Sequence, residues 1–198
     1  MQFVPFESGI SVNGRTVLAV SDALKAVKVI TSTLLEDLKT PERDAQGNPV
    51  IDFNGWYPLE QYLAAMKKID TLLGGRGLER IGSLVIKANP LPPHVSSIDA
   101  AFGGLDPTYH NAHAKNGRPM LDMATGQMQE GIGHYSYERI AGERKAVCVC
   151  ENPYPCRFDL GLLTTLAQRF EPTATLAHDT SKPCRAKGGD SCTFVITW

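Results

Sequence analysis

Four residues near the C-terminus have the chemical types of metal ligands: Cys156, His178, Cys184 and Cys192. Their spacing is not that of a zinc finger, and the alternative is that the cysteines are buried core residues of a small sheet. Thiolate and neutral imidazole are ligands that Zn²⁺ prefers, and four of them complete a tetrahedron. Cys184 and Cys192 flank the turn at Gly188-Gly189, so two strand ends can bring both sulfurs to one point. The sequence therefore predicts a zinc site with a Cys₃His ligand set, which would be structural because no coordination position stays open.

The remaining cysteines, Cys148 and Cys150, lie in the same last quarter of the chain and make the total of five odd. A secreted disulfide scaffold has an even set spread along a shorter chain. The N-terminus shows no basic region followed by a long apolar stretch, so no signal peptide is predicted. We therefore expect a reduced, cytoplasmic protein. Cys148 and Cys150 share one face of a predicted strand and are expected in the core, although either could replace one metal ligand.

The 198 residues carry 20 Lys+Arg against 21 Asp+Glu, a net charge of −1. The length suits one domain, 1–198, with a mainly helical part over 1–115 and a sheet and metal-site part over 116–198. A near-neutral balance argues against nucleic acid as a partner, because that surface requires a basic face. No apolar run approaches the length of a transmembrane helix, so no membrane span is expected.

Apolar residues at helical spacing predict four helices before residue 115, and the last carries His110 and His113. The first predicted helix lies between Ser21 and Pro41, and the second between Pro58 and Gly74-Gly75. The third ends before Pro90, and the fourth begins near Ser96 and restarts at Pro107.

Beyond Met120 the apolar period changes towards two, which is typical of strands. The predicted elements are a hairpin of 120–124 and 127–140, a strand over 146–150, a helix over 158–170, and closing strands over 173–178 and 193–198. Helices followed by a mostly antiparallel sheet with one intervening helix make an α+β fold.

The segment Asn152-Pro-Tyr-Pro-Cys156, Gly161 and the closing run Cys184-Arg…Gly-Gly-Asp…Cys192 resemble the vinyl-4-reductase (V4R) domain. That family shares a superfamily with heme nitric-oxide/oxygen-binding (H-NOX) domains and TRAPP subunits of Golgi transport. The resemblance covers about the last fifty residues. It implies N-terminal helices packed on an antiparallel sheet around a ligand cavity. In phenol-sensing members, three cysteines and an acidic residue bind zinc. At the acidic position this chain has His178 followed by Asp179, so both are candidates.

The resemblance also implies a ligand pocket. The positions that bind the phenol hydroxyl fall near His110 and Tyr135, and His113 and His134 are further candidates beside them. In H-NOX domains a histidine on a comparable helix ligates heme, and a Tyr-x-Ser-x-Arg strand binds its propionates. This chain reads Tyr135-Ser-Tyr-Glu-Arg139, with tyrosine at the central position. Alternatively, these side chains are solvated, or His110 and His113 form a second metal-ligand pair.

These features predict a small-molecule-binding or sensory domain stabilised by structural zinc, with a small hydrophobic or aromatic ligand. With no attached output domain in the chain, the signal would pass to a partner protein or through a homodimer. Walker, nucleophile-elbow, H-E-x-x-H and dinucleotide motifs are absent, so an enzyme is not expected. The alternatives are a heme-based gas sensor with His110 as axial ligand, a tetrapyrrole carrier or vinyl-reductase accessory, a zinc hydrolase using Asp179 or Glu151 as base, and a TRAPP-like adaptor.

Overall fold

A computed structural model describes residues 1–24, 36, 38, 40, 42–47 and 49–198. Most of the helix predicted between Ser21 and Pro41 lies outside these residues. In chain order the elements are β1 (Ile10–Asn13), α1 (Gly14–Leu24), β2 (Trp56–Pro58), α2 (Leu59–Ala88), α3 (Ile98–Gly103), α4 (Leu105–Asn111), β3 (His113–Lys115), β4 (Arg118–Pro119), β5 (His134–Arg139), β6 (Lys145–Glu151), α5 (Cys156–Gln168), β7 (Thr175–His178), a 3₁₀ turn (Arg185–Lys187) and β8 (Cys192–Thr197).

The described strands form two antiparallel sheets, and this confirms the predicted α+β class. The C-terminal sheet has the order β5-β6-β8-β7, with α5 inserted between β6 and β7. The N-terminal sheet has the order β2-β1-β3-β4. This second sheet was not predicted from the sequence, because its strands of two to four residues are too short to show an alternating pattern.

One consequence is a correction to His113, which was predicted on a helix. Helix α4 ends at Asn111, and His113 opens strand β3, where it pairs with Val12 of β1. His110 stays on the helix as predicted. The two histidines therefore belong to different elements.

The predicted second and third helices form one element, α2, with a kink at Gly74 rather than an end. Gly74 takes φ 66°, which glycine adopts without strain. The fourth helix begins as predicted, since the Ser97 side chain caps it by accepting from the Ala100 amide at 3.1 Å. Its break falls at Gly104 rather than at Pro107, which lies in the first turn of α4, where proline is tolerated.

The hairpin predicted from Met120 to Ile140 is confirmed only around its turn, where Leu121 pairs antiparallel with Met128 and the Asp122 amide donates to the Gln127 carbonyl at 2.9 Å. The returning strand is interrupted, since β5 does not begin until His134. Gly131 and Gly133 have positive φ and turn the chain just before β5.

Helices α2 and α5 pack backbone against backbone at two glycines. A Cβ on Gly161 would lie 1.8 Å from the Glu79 carbonyl oxygen, and one on Gly82 would lie 2.1 Å from that of Phe158. Only glycine allows this approach, which anchors α5 and so places Cys156 at the start of that helix.

None of the helices among the described residues combines the length and the apolar character that crossing a membrane would require.

Candidate functional site

Three of the four predicted metal ligands lie together. Cys156 begins α5, Cys184 precedes the 3₁₀ turn, and Cys192 begins β8. Their sulfurs are all within 4.8 Å of one another, and those of Cys184 and Cys192 are 4.0 Å apart. Three convergent thiols are a ligand set for a soft or borderline metal ion such as Zn²⁺.

The environment of this thiol cluster favours one thiolate. The Cys192 sulfur accepts from the Arg185 amide at 3.3 Å and from Arg185 Nε at 3.5 Å. The hydrogen bond from Cys156, together with the charge of Arg185, lowers the pKa of Cys192 to about 4, although burial opposes this. The same hydrogen bond and burial raise the pKa of Cys156. Cys192 therefore reaches the ionised form that binds metal before Cys156 does.

His178 and Asp179, the two candidates for the fourth ligand, are not part of that cluster. Strand register places His178 opposite Phe194, on which its ring stacks with centroids 5.0 Å apart. This makes His178 a diagonal neighbour of Cys192, a separation of about 7–8 Å in antiparallel sheets. The Asp179 carboxylate accepts from the Ser181 hydroxyl at 2.6 Å. The identity of the fourth ligand stays a prediction.

The first three residues of the chain lie against the segments that carry these cysteines. The Met1 amino group donates to the Gly189 carbonyl at 3.0 Å, and the Gln2 side chain accepts from the Cys156 amide at 3.2 Å. The Phe3 amide donates to Pro153 at 2.7 Å. Nothing in the types of these three residues indicates this contact, so it could not be predicted from the sequence.

A buried ion pair connects the thiol cluster with the sheet. Arg185 is 1% exposed and donates to the Asp159 carboxylate, to the Asn152 side chain, and to the carbonyls of Asn152 and Tyr154 at 2.7 Å each. Asp159 is fully buried and also accepts from the Tyr135 hydroxyl at 2.7 Å and the Asn152 amide at 3.2 Å. A buried guanidinium needs such complete pairing to offset its desolvation. Two signals could have indicated it: Arg185 adjoins a predicted ligand, and Asp159 interrupts an apolar helix face.

The same hydrogen-bond network reaches a second cluster of possible metal ligands, formed by Asp106, His110 and His134. The Tyr135 amide donates to Asp106 Oδ1 at 2.9 Å, and His134 Nδ1 donates to Asp106 Oδ2 at 2.9 Å. His110 Nδ1 donates to the backbone carbonyl of Asp106 at 3.0 Å. The two histidines were predicted as ligand-site residues from the sequence, whereas Asp106 was not.

His134 lies at the half-buried rim of this second cluster and is held between two carboxylates. Its Nε2 donates to Glu130 at 3.1 Å, so both ring nitrogens act as donors, as in the imidazolium form. The hydrogen bond to Asp106 raises the pKa of His134 despite burial. Burial alone would raise the pKa of Asp106, but hydrogen bonds from His110 and His134 lower it.

His110 and His113 differ in which ring nitrogens are free. Both side chains are buried. In His113, Nδ1 donates to the Tyr109 carbonyl at 2.7 Å and Nε2 accepts from the Tyr154 hydroxyl at 2.8 Å. In His110, Nδ1 is paired with Asp106, but Nε2 is buried and has no partner among the described residues. Of these two, only His110 offers a ligand atom.

The three motif side chains of β5 each contact a carboxylate of the protein. Tyr135 donates to Asp159, and Tyr137 donates to Asp99 at 2.6 Å. Arg139 donates to Asp99 Oδ2 at 3.2 Å, and its guanidinium stacks over the ring of Trp198 at 4.3 Å. This edge of the strand is therefore equipped to bind carboxylates.

Cys148 and Cys150 are core residues, as predicted. Both are fully buried on one face of β6, where Cys150 pairs with Cys192 of β8. Burial raises the pKa of Cys150, which keeps that thiol neutral.

Neither a family model nor a curated protein matches the sequence. Among solved structures, the chain is similar to the H-NOX protein of S. oneidensis, here a triple alanine mutant in the Fe(II) ligation state. The two superpose with a TM-score of 0.64 and 15% identity, over 93% of this chain and 95% of that chain. The same protein in its Fe(II)NO state matches with a TM-score of 0.63 and 16% identity, over 93% of this chain and 97% of that chain. The fold is that of H-NOX domains. A structure described under "Modulating Heme Redox Potential Through Protein-Induced Porphyrin Distortion" matches this H-NOX-like fold with TM-score 0.57, 14% identity, and 94% and 99% covered. The comparison thus agrees with the expected α+β fold, and no family model identifies the V4R branch.

Proposed function

We propose that this chain is a heme-binding sensory domain in which His110 is the axial ligand. The observation that carries the proposal is the unpartnered Nε2 of His110, buried in the protein while Nδ1 donates to a backbone carbonyl. Metal-binding histidines are held in this way, because the second hydrogen bond fixes both the tautomer and the ring orientation. The choice of heme is supported by structures of the same fold, two described in Fe(II) and Fe(II)NO ligation states and a third described in terms of heme redox potential.

Some of the β5 side chains are suited to bind the propionate groups of heme. Tyr137 and Arg139 pair with Asp99, which is 51% exposed, so a heme propionate can take the place of that carboxylate. Tyr135 is committed to the buried Asp159. Two of the three motif positions therefore remain available. When bound, heme would supply an iron that can bind a small gas molecule.

Replacing His110 with alanine is expected to lower the heme content at least about tenfold, because the axial ligand is lost. The protein is expressed with a heme precursor, and the Soret absorbance per chain is measured after purification. His94→Ala, on an exposed loop, is the matched control and keeps wild-type heme content. Wild-type protein without a Soret band, or equal bands in both variants, would contradict the proposal.

The alternative occupant of the same site is a small aromatic molecule whose hydroxyl donates to the free His110 Nε2, as in the phenol sensors. In either case we infer that occupancy is passed to a partner protein or to a second copy of the chain. An aromatic ligand would be retained without a Soret band, so native mass spectrometry of the purified protein separates the two occupants.

We also propose a structural zinc ion at Cys156, Cys184 and Cys192. The support is the convergence of the three sulfurs and the lowered pKa of Cys192. All five cysteines are free thiols, which fits a reducing compartment such as the cytoplasm. A zinc ion here would join the start of α5 to the start of β8, and a fourth protein ligand such as His178 would close its coordination sphere and make it purely structural.

Protein purified without added metal is expected to contain about one zinc ion per chain, and Cys184→Ala/Cys192→Ala is expected to contain none. Elemental analysis gives the zinc content, and thermal unfolding should show a lower midpoint for the double variant. Cys148→Ala, a buried thiol outside the thiol cluster, is the control and should keep its zinc. A metal-free wild-type protein that is fully folded would refute the zinc site.

A further inference from the structure

A groove of about 420 Å³ runs between α2 and α5, and its lining contains no member of the two clusters described above. Three arginines line it, Arg76 and Arg80 from α2 and Arg157 from α5, against a single acidic residue, Glu79. The groove therefore carries a formal charge of +2, whereas the whole chain has a net charge of −1. The positive charge is therefore concentrated in this groove and does not follow from the net charge of the whole chain.

Arg76 and Arg80 lie one helical turn apart, and neither forms an ion pair with any described residue. Like charges at this spacing repel each other and destabilise a helix by a few tenths of a kcal/mol. Arg157 donates to Glu79 at 2.6 Å through one nitrogen, which leaves its other donors free. Two unneutralised guanidinium groups and part of a third thus line one groove.

Hydroxyl groups complete the groove. Thr165 donates to Ser83 at 2.8 Å across the two helices, and the Thr164 hydroxyl has no partner within the described part of the chain. The glycine contacts between α2 and α5 keep these walls close together. Guanidinium forks combined with hydroxyl donors match the oxygens of a phosphate group.

We propose that this groove binds a small phosphorylated molecule. Its volume lies in the range of small-ligand sites and exceeds that of inorganic phosphate, so the diphosphate portion of a nucleotide-sized ligand fits better than a single ion. The proposal is independent of the heme and zinc sites, because it uses none of their residues.

The experiment is calorimetric titration of the full chain with inorganic pyrophosphate and with ADP at ~0.15 M salt, where weak surface attraction is screened. We expect saturable binding that Arg76→Glu/Arg80→Glu weakens at least about a hundredfold, since each lost charged hydrogen bond accounts for about tenfold or more. Lys67→Glu/Arg118→Glu reverses two exposed positive charges outside the groove and should leave the affinity unchanged.

Circular dichroism checks the folding of both double variants, and Arg76→Gln/Arg80→Gln removes the two charges without introducing new ones. If the wild-type chain binds neither probe at millimolar concentration, the proposal is overturned. Equal weakening by the two charge reversals would overturn it as well, because that result reports only a general effect of net charge. Binding of ADP but not pyrophosphate would also refute phosphate recognition as the basis.

Discussion

Replacing Asp159 with alanine is expected to lower the free energy of unfolding by about 3–5 kcal/mol, the largest single-site effect we predict. The substitution leaves the Arg185 guanidinium buried without its carboxylate and removes the acceptor of the Tyr135 hydroxyl. Burying an uncompensated charge costs much more than the pair itself contributes. Urea unfolding followed by circular dichroism gives the difference.

The matched control is Glu79→Ala, which removes a surface salt bridge whose N–O distance is similar to that of the buried pair. Glu79 and Arg157 are 2.6 Å apart and substantially exposed, so the expected loss is under about 1 kcal/mol. If the two variants lose equal stability, the buried network does not have the energetic role assigned to it.

Acidification is expected to destabilise the fold through His113. Burial lowers the pKa of His113 from 6.5 to about 4, so in that interval the unfolded chain binds more protons than the folded one. Stability therefore falls as the pH decreases from about 7 to about 4, by about 3 kcal/mol for this histidine. Urea unfolding at pH 7, 5.5 and 4.5 measures the slope.

His113→Gln removes the titrating group and should flatten this dependence. His134 has the opposite effect on the pH dependence of stability, because its pKa is raised in the folded protein. Its contribution to stability is fully present below the pKa of the unfolded chain and is lost as the pH rises through the pKa of the folded protein. His134→Gln should therefore steepen the loss of stability in acid. An unchanged slope in His113→Gln would show that another group governs the acid response.

The parts of the site that sequence analysis predicted depend on local pattern. Cys184 and Cys192 flank a tight turn and Cys156 starts a helix, and these local features, together with the resemblance to the V4R domain, led us to expect the three sulfurs together. The placement of His178 depends on the register between β7 and β8, a long-range property that spacing does not encode. The residues that surround the candidate ligands could not be predicted from the sequence either, because ion pairs such as that of Arg185 with Asp159 form only when distant segments pack.

The predicted class of fold rested on periodicity, and its errors arose where elements are short. The residues around His113 read as a continuation of the preceding helix, because a three-residue strand has no detectable period. The N-terminal strand β1 was missed for the same reason. Longer elements with a clear apolar face, such as α5, were placed to within about two residues.

The N-terminal sheet also has a consequence for how the protein is made. Val12 of β1 pairs with His113 of β3, which follows it by 101 residues in the chain. A ribosome adding ~5–20 residues per second needs about 5–20 s to cover that distance. During this interval β1 can pair on one side only, with β2, while its other edge stays open. The nascent chain thus exposes a strand edge until more than half of the protein has been synthesised, which is when chaperones that protect such edges would act on it.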